Sequence, residues 1–501
     1  MIKKKKMKVL FIYTTPFKTT GLPIGMGSLC SVLKNCGHDV KILDTSFYDF
    51  KKNSYDDKIR EERNMSKAVV NEKDIFVEKT DFYRNLGDII NKYEPDLVCF
   101  SLTESLFSIA VEIADYIKEQ FGDILIVAGG VLPTVSPEVV ISAKSIDIIC
   151  VGEGEVPLCD LCNKLMEEKE IKNISGLWVK QCGEIFKNKP NKLVDLDTLP
   201  HPCFDEFDEK LFYKPMQGKL YKMVFISTDR GCPFQCTFCA SPVLKRIFKE
   251  NNCGRYYRKQ SIDRVIEQIH FQINKYNPEF IYFSSETFLG ISDDDFNVFI
   301  EEYSKIKIPF WFQTRFETIT KERIERLKNV GMLWLTIGIE SGNEDFRKNI
   351  LKKTFSNKII IEKTKILADC DIGASLNNII GFPFENRELI FDTINLNHKL
   401  WDINNKIESN VFLFTPYRGC QLRDVCVKEN LMREDTIVGT NMIGSDTILN
   451  FPDSFKKELK GLLKTFNLYV KLPNKYRPQI LIAEQDNDEG KKMFKKLSTL
   501  L

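Results

Sequence analysis

Residues Arg230–Ala240 read RGCPFQCTFCA and place three cysteines, Cys232, Cys236 and Cys239, at C-x-x-x-C-x-x-C spacing. Glycine and proline bend this stretch, so the three thiols lie together on one loop. Cysteine thiolates hold iron–sulfur clusters, and a four-iron cluster normally takes four of them. Three cysteines therefore predict a 4Fe-4S cluster in which one iron is open to another ligand.

A structural zinc knuckle and three unrelated thiols are the alternatives for this loop. Zinc sites usually pair C-x-x-C units and add a fourth Cys or His. Downstream of the loop only the solitary Cys253 follows at comparable spacing. We therefore interpret the loop as a cluster site.

The composition is typical of a soluble globular protein, since 43% of the 501 residues are hydrophobic and 28% are charged. A net charge of +2 argues against a nucleic-acid partner bound through its phosphates. Fifteen cysteines without an export signal predict reduced thiols and a cytoplasmic protein. No apolar run approaches the roughly 20 residues of a membrane helix, so we expect no membrane span.

The N-terminal third alternates short apolar strands with helices, which predicts a doubly wound, Rossmann-like parallel sheet. The predicted strands cover 8–14, 39–44, 96–101, 124–128 and 146–151, with a first helix at 27–36. Ligands of such sheets bind at the carboxyl ends of the strands. The candidate contacts at those ends are Ser101, Thr103, Gly129, Gly130, Thr134, Gly152, Glu153, Gly154 and Glu155.

Several features around this sheet carry no recognisable chemistry. We interpret the charged segment 47–93 as a solvated insertion, and His38 as a surface turn residue. Cys159 and Cys162 form a C-x-x-C that we interpret as a helix start with two half-buried thiols. A hairpin is predicted to turn at Cys182–Gly183.

The central region repeats strand, loop and helix six times, which predicts a partial (β/α)6 TIM-type barrel. Its strands are expected at 223–227, 280–284, 309–313, 333–339, 374–380 and 411–414. Thr320 and Ser356 are expected to cap two of the helices. The cysteine loop follows the first of these strands, where barrel chemistry is located.

This arrangement resembles the radical S-adenosylmethionine (SAM) superfamily, in which the amine and carboxylate of SAM chelate the open iron. The resemblance implies that Glu340 binds the ribose and that Gly342 lets the chain turn beneath the nucleoside. Glu286 could instead belong to a helix-capping loop, and Arg315 to a surface ion pair. The SAM contacts implied by the resemblance are Phe238, Glu286, Arg315, Glu340, Ser341, Gly342 and Gly381.

Ahead of the barrel, the order of strand-end motifs resembles the cobalamin-binding domain that precedes many radical SAM cores. The D-x-H-x-x-G motif of mutase-type domains is missing, so we expect no histidine on cobalt. The expected divisions are a cobalamin-binding domain at 1–195, a linker at 196–220, a radical SAM core at 221–432 and a helical segment at 433–501. An amphipathic helix near 455–466 is expected to pack across the open side of the barrel.

The resemblance implies an anaerobic enzyme that uses a 4Fe-4S cluster, SAM and cobalamin. It would generate a 5'-deoxyadenosyl radical and methylate an unactivated carbon of a small molecule or peptide, with electrons from a donor such as flavodoxin or ferredoxin. Radical rearrangement or cyclisation with the same cofactors is one alternative. A tRNA methylthiotransferase-like enzyme and a non-enzymatic cobalamin sensor are the others.

Overall fold

The computed structural model describes residues 6–15, 21–48, 56–65, 81–439 and 446–501. Its N-terminal part contains a seven-stranded sheet in the order β2-β1-β3-β4-β5-β6-β7, parallel except for the last two strands. These strands are β1 (Lys8–Tyr13), β2 (Asp39–Asp44), β3 (Leu97–Ser101), β4 (Leu125–Gly129), β5 (Ile148–Cys150), β6 (Leu177–Gln181) and β7 (Glu184–Lys187). The accompanying helices are α1 (Ile24–Asn35), α2 (Asp56–Glu62), α3 (Phe82–Tyr93), α4 (Phe107–Phe121), α5 (Val131–Val135), α6 (Pro137–Ile141) and α7 (Glu155–Met166).

The apolar strands of this sheet are buried on both faces, as the sequence predicts. In β1, Val9 and Phe11 point into one core, whereas Leu10 and Ile12 point into a second core on the opposite face. Because successive strand residues alternate between faces, a continuous apolar run requires cover on both sides. The doubly wound domain and the hairpin at Cys182–Gly183 are confirmed.

The second seven-stranded sheet has the order β16-β15-β14-β13-β12-β9-β8, in which β9 and the strands that follow it are parallel. Its strands are β8 (Tyr213–Met216), β9 (Lys219–Ser227), β12 (Phe280–Ser284), β13 (Phe310–Thr314), β14 (Met332–Glu340), β15 (Gly373–Ile380) and β16 (Ile407–Leu413); β10 (Asp229–Arg230) and β11 (Arg258–Lys259) form a separate ribbon. The helices are α8 (Ser241–Glu250), α9 (Ile262–Tyr276), α10 (Asp293–Ile306), α11 (Lys321–Asn329), α12 (Glu344–Asn349), α13 (Asn357–Asp369), α14 (Arg387–Ile403) and α15 (Gln421–Lys428). The sheet curls into a half-barrel, which confirms the predicted partial barrel.

Helix starts in the barrel follow the sequence signals. The hydroxyls of Thr320 and Ser356 accept hydrogen bonds from the backbone N–H groups of Arg323 and Ile359, capping α11 and α13. The caps fix where each helix begins and therefore where the preceding strand-end loop stops.

The C-terminal segment consists of α16 (Asp453–Lys471), α17 (Arg477–Ala483) and α18 (Asp488–Ser498). Leu459, Leu462 and Phe466 of α16 are buried in a core shared with Leu413 of the edge strand β16 and Ile390 of α14. The predicted amphipathic helix is therefore present and packs at the open edge of the half-barrel. No helix in the described ranges is long and apolar enough to span a bilayer.

The interpretation of segment 47–93 as solvated is wrong for the parts that the structure describes. Phe47 and Tyr48 are buried, and α3 buries Phe82, Leu86 and Ile90 against the N-terminal sheet. Apolar residues at i, i+4 and i+8 form one helical face, which surrounding charges obscured. Residues 49–55 and 66–80 of this segment lie outside the described ranges.

Three smaller expectations are also corrected. His38 is buried, with 4% of its surface exposed, and its Nδ1 accepts a hydrogen bond from Met7 N at 3.4 Å. The sulfurs of Cys36 and Cys159 form a disulfide that joins the end of α1 to α7, although we expected reduced thiols throughout. Cys162 lies one turn further along α7 and is fully buried rather than half-buried.

The predicted linker at 196–220 is ordered and contributes to the structure. It includes β8, and its Phe204 and Phe207 belong to the same core as Val224 of β9 and Phe11 of β1. One continuous apolar core therefore joins the N-terminal sheet to the half-barrel.

Candidate active site

A cavity of about 180 Å³ lies at the carboxyl ends of the half-barrel strands. The cysteine loop after β9 and the ends of β13, β14 and β15 surround it. Cys232, Cys236 and Cys239 all line this cavity, together with the predicted SAM contacts Phe238, Glu286, Arg315 and Glu340. The tertiary structure thus brings together the predicted residues Cys232 and Glu340, which are 108 positions apart in the chain.

The cysteine loop is held tightly against a neighbouring segment. Gly231 has a φ of +81°, and a Cβ built there would lie 2.5 Å from the backbone oxygen of Tyr256. Only glycine satisfies both conditions without strain. The residue before the first cysteine therefore sets how closely the loop approaches the strand ribbon β10–β11.

Two of the cysteine sulfurs have N–H donors nearby. The Cys239 sulfur accepts a hydrogen bond from the backbone N–H of Ser241 at 3.5 Å, and Arg315 Nη1 lies 4.0 Å from the Cys236 sulfur. Burial raises the pKa of the Cys232 thiol to about 12. Metal coordination requires the thiolate, so cluster insertion would displace a proton at neutral pH.

Arg315 is buried, and its ion-pair partner Glu317 lies at the surface. Its guanidinium lies 3.6 Å from the centroid of the Phe234 ring, within the cysteine loop, and Nη2 donates to Glu317 at 2.7 Å. Arginine stacks on aromatic rings while its planar edge still donates hydrogen bonds. Arg315 therefore fixes the loop between Cys232 and Cys236 by stacking.

Glu340 lies at the end of β14 with 7% of its surface exposed and forms an ion pair with Lys353 at 2.8 Å. Lys353 Nζ also donates to the backbone oxygen of Gly338 at 2.6 Å. The carboxylate occupies the space where a side chain at 338 would stand, because a Cβ on Gly338 would lie 2.0 Å from Glu340 Oε1. Lys353 thus holds the carboxylate at the cavity wall through its Oε1 atom.

Ser341 and Gly342, which follow Glu340, and Gly381 lie outside the described lining of this cavity. Their contact with SAM therefore stays a prediction. A Cβ on Gly342 would lie 2.4 Å from Asp392 O, so this glycine permits close packing against α14. Gly381 donates its N–H to the buried carboxylate of Glu385.

A second cavity, of about 440 Å³, lies between the N-terminal sheet and the half-barrel. The ends of β3, β4 and β5 form one wall, where the predicted contacts Ser101, Gly129, Gly130, Gly152, Glu153, Gly154 and Glu155 all line it. This is the sheet edge at which ligands of doubly wound folds bind.

Two predicted contacts lie outside the described lining of this cavity. Thr134 Oγ1 donates to Gly130 O at 2.8 Å and accepts from Gly152 N at 3.0 Å, so it ties two strand-end turns together. Thr103 Oγ1 lies 3.0 Å from Ser105 Oγ. Both hydroxyls stabilise the loops that shape the wall.

Glu286 and Gln313 line both cavities and mark the place where they meet. Burial, with a smaller contribution from the nearby Asp229 carboxylate, raises the pKa of Glu286. Asp229 is itself buried, accepts a hydrogen bond from Ser285 and also lines the larger cavity. Two carboxylates therefore stand at the junction.

Comparison with known proteins assigns the two halves of the chain. The profile of the Radical SAM superfamily matches residues 226–396, and that of the B12 binding domain matches residues 12–162. The chain therefore combines a B12 binding domain with a Radical SAM domain.

Similar proteins span most of the chain. An uncharacterised methyltransferase of Pyrococcus horikoshii is 25% identical over 93% of this chain and 90% of its own length. The solved structure of OxsB, a cobalamin-dependent SAM radical enzyme with aqua-cobalamin and SAM bound, has a TM-score of 0.66 at 18% identity, covering 99% of this chain and 71% of OxsB. The radical SAM methyltransferase TsrM from Kitasatospora setae, with cobalamin and a [4Fe-4S] cluster bound, has a TM-score of 0.59 at 15% identity, covering 84% of this chain and 75% of TsrM. The two structural likenesses establish the shared fold.

The residues of the radical SAM domain fit the cofactors that the family implies. Three thiols at the cavity, two of them with N–H donors nearby, match the donor set of a 4Fe-4S cluster with an open iron. Within the described ranges no three His, Cys, Asp or Glu side chains cluster closely enough for a single metal ion. A cube is compatible with that finding because each cysteine binds a different iron.

The B12 binding domain offers a cavity wall of glycine backbone and apolar side chains, including Phe11, Leu29 and Val127. Such a wall suits the broad apolar faces of a corrin ring. Among the described residues lining this cavity there is no histidine. The chain's own residues therefore offer no imidazole for cobalt at this wall.

Sequence reasoning missed several residues of the radical SAM domain that shape the site. Asp229, Arg258 and Tyr256 had no motif to mark them, and Lys353 was not among the expected SAM contacts. The one available signal was position, because Asp229 follows the end of β9 immediately before the cysteine loop.

Proposed function

We propose that this enzyme is a cobalamin-dependent radical SAM methyltransferase that transfers a methyl group to an unactivated carbon of a small molecule or peptide. The observation that carries the proposal is the junction of the two cavities at Glu286 and Gln313. A substrate at this junction would be adjacent both to the smaller cavity, which the three cysteines line, and to the larger cavity. The 25% identity to a methyltransferase over 93% of the chain supports the reaction class.

The chain's own residues would bind and orient the reactants. Cys232, Cys236 and Cys239 would hold the cluster, and the Glu340 carboxylate, held by Lys353, would accept hydrogen bonds from the SAM ribose. When bound, the cluster supplies an electron to cleave SAM and cobalamin supplies the methyl group. An external electron donor of the flavodoxin or ferredoxin class would reduce the cluster.

Glu286 and Gln313 would each bind one reactant at the junction. Its buried carboxylate would accept a hydrogen bond from the amine of SAM, and the raised pKa favours proton sharing over a free charge. Gln313, whose side chain donates to Tyr282, would orient a polar group of the substrate.

Product stoichiometry with candidate substrates tests the proposal. One SAM is cleaved to make the radical and another remethylates cobalamin, so 5'-deoxyadenosine and S-adenosylhomocysteine should form in comparable amounts. With methyl-labelled SAM the product should gain one labelled methyl group. The measurement is anaerobic turnover followed by mass spectrometry.

Turnover that yields 5'-deoxyadenosine without S-adenosylhomocysteine or labelled product would overturn methyl transfer. Rearrangement or cyclisation would then be the reaction, and the likeness to OxsB, a cobalamin-dependent SAM radical enzyme, is compatible with it. A methylthiotransferase would need further cluster ligands in the N-terminal domain. There Cys30 and Cys99 are buried in the core, and Cys36 is in the disulfide.

A further inference from the structure

A buried network of charges joins the B12 binding domain to the cysteine loop. Arg230 directly precedes Gly231 and Cys232. Its Nη1 donates to Glu153 at 3.2 Å and its Nη2 to Glu155 at 2.6 Å. Both carboxylates belong to the turn 152–155, which lines the larger cavity.

A second guanidinium closes the network from the barrel side. Arg258 donates to both oxygens of Glu153 and to the backbone oxygen of Val194. Arg258 lies directly opposite Arg230 in the antiparallel ribbon β10–β11. Backbone pairing in the ribbon therefore places the two arginines next to each other, and both guanidinium groups bind Glu153.

Helix α1 also contributes to this network. The hydroxyl of Ser28 lies 3.3 Å from both Glu155 Oε1 and Arg230 Nη2. Neighbouring Gly25 and Leu29 of the same helix line the cavity wall. A movement of that wall would therefore displace Ser28 and change its contact with Arg230.

The side chains of this network are largely shielded from water, so breaking one of its ion pairs would cost free energy. The exposed fractions of the side chains are 6% for Glu155, 15% for Glu153 and Arg258, and 25% for Arg230. Burial alone would raise the pKa of Glu153, but the hydrogen bond from Arg258 and the charges of both arginines lower it. A buried carboxylate that loses its partner is strongly destabilised.

We propose that Arg230 is a positioning residue that couples the two cofactor sites, so that binding of a corrinoid in the larger cavity and assembly of the cluster on the cysteine loop favour each other. The inference rests on the proposed use of both cofactors. Ordering of the turn 152–155 by a corrinoid fixes the two carboxylates that hold Arg230, and Arg230 fixes the start of the loop carrying Cys232. By thermodynamic reciprocity, the assembled cluster raises the affinity for the corrinoid by the same factor.

The experiment measures this coupling as a ratio of two dissociation constants. Hydroxocobalamin is titrated calorimetrically, without oxygen, into the full chain with its cluster removed and with its cluster reconstituted. In the wild type we expect roughly tenfold tighter binding to the reconstituted form, within the usual range of site-to-site coupling. Arg230→Met should bring the ratio close to one.

Two variants complete the experiment. Arg387→Met removes a guanidinium of similar exposure, 29%, that pairs with Glu484. Neither residue lines either cavity, so this variant should keep the wild-type ratio. Arg230→Lys keeps the charge but lacks the planar fork that bridges two carboxylates. Arg230→Lys should therefore lower the ratio at least threefold. If Arg230→Met does not fold, the ratio of Arg230→Lys tests the positioning role.

Each further outcome has a defined meaning. A wild-type ratio of one, or an unchanged ratio in the Arg230 variants, would overturn the positioning role while leaving the proposed function standing. Failure of the wild type to bind hydroxocobalamin in either form would overturn the proposed function, and this inference with it.

Paramagnetic resonance of the reduced cluster is the second readout. Hydroxocobalamin should shift the wild-type spectrum and leave that of Arg230→Met unchanged.

Discussion

Individual side chains in this protein act at the site through partners that hold them in place. Lys353 holds Glu340 at the cavity wall, Phe234 stacks on Arg315, and the Ser241 N–H donates to Cys239. Each contact fixes a rotamer next to the cavity where cofactors are proposed to bind. Substitutions of single residues should therefore affect cluster binding, SAM binding and stability separately.

Replacing any one of Cys232, Cys236 and Cys239 with alanine should abolish SAM cleavage and leave the fold largely intact. The reason is that a cluster with two remaining thiolates is poorly held. Iron and sulfide analysis and detection of 5'-deoxyadenosine measure the effect, with Cys182→Ala, which removes an exposed thiol, as the control. A triple variant that keeps four irons and still cleaves SAM would contradict the assignment.

Glu340→Ala should weaken SAM binding by roughly tenfold to a hundredfold, because a charge-assisted hydrogen bond contributes about 1.5 to 3 kcal/mol. Iron content should not change, since the carboxylate is proposed to bind ribose and not iron. The measurement is equilibrium SAM binding to the reconstituted enzyme. Glu344→Ala, which removes a carboxylate paired with Lys348 on α12, is the control, and equal affinities would return Glu340 to a structural role.

Glu385 should make stability depend on pH. Burial raises the pKa of its carboxyl to about 8, and only Oε2 has hydrogen-bond donors, Gly381 N and Phe382 N. Between the ordinary carboxyl pKa and 8 the folded protein keeps a proton that the unfolded chain has lost. The free energy of unfolding should therefore fall as pH rises, by up to about 1.4 kcal/mol per pH unit.

Glu385→Gln removes this titration and should flatten the decline between pH 5 and 8. Urea unfolding at a series of pH values measures the slope. The exposed Glu388→Gln on α14 should retain the wild-type slope. Parallel curves for the wild type and Glu385→Gln would refute the role of Glu385.

At the scale of elements, helix α16 completes the edge of the half-barrel. A parallel sheet that stops at β16 leaves apolar side chains such as Leu413 in need of cover. The buried face of α16 supplies it, and α14 packs alongside. The helix therefore contributes to stability more than to chemistry.

Leu462→Ala in α16 should lower the free energy of unfolding by about 2 to 5 kcal/mol, because the fully buried side chain leaves a cavity. Leu481→Ala on α17 removes a leucine that is 55% exposed and should change stability by less than about 0.5 kcal/mol. Thermal unfolding of both variants gives the comparison. Similar melting temperatures would mean that α16 does not support the barrel edge.

At the scale of the whole molecule, three carboxylates of the B12 binding domain engage the other half of the chain at two anchors. One anchor is the network of Glu153 and Glu155, and the other is Glu104. The Glu104 carboxylate accepts hydrogen bonds from Arg423 at 3.2 Å, from Arg418 N at 2.5 Å and from Val438 N at 3.0 Å. The closing loop after β16 is thereby tied to the N-terminal sheet.

Glu104→Ala should destabilise the docked arrangement by about 3 to 5 kcal/mol, because Arg423 would remain buried without its carboxylate. Limited proteolysis of the loop 415–423 and thermal unfolding measure the loss. Glu119→Ala, at an exposed position on α4, serves as the control. Unchanged protease resistance would show that the apolar core alone holds the two halves together.

Local patterns were sufficient to predict the order of elements and the position of the cluster loop. Strand alternation, helix caps at Thr320 and Ser356 and the spacing of Cys232, Cys236 and Cys239 all depend on residues within a few positions of one another. Hydrophobic periodicity is a local property, so it survives without knowledge of the fold. It failed at α3, where the apolar stripe of Phe82, Leu86 and Ile90 lies within a charged segment.

Only the tertiary structure decided which side chains meet. Glu153 pairs with residues 77 and 105 positions away, and Cys36 meets Cys159 across 123 positions. The close approach of Gly342 to Asp392 O in α14 is likewise visible only in the folded chain. Ion pairs, a disulfide and close backbone contacts depend on distances in space, which no local pattern of residues encodes.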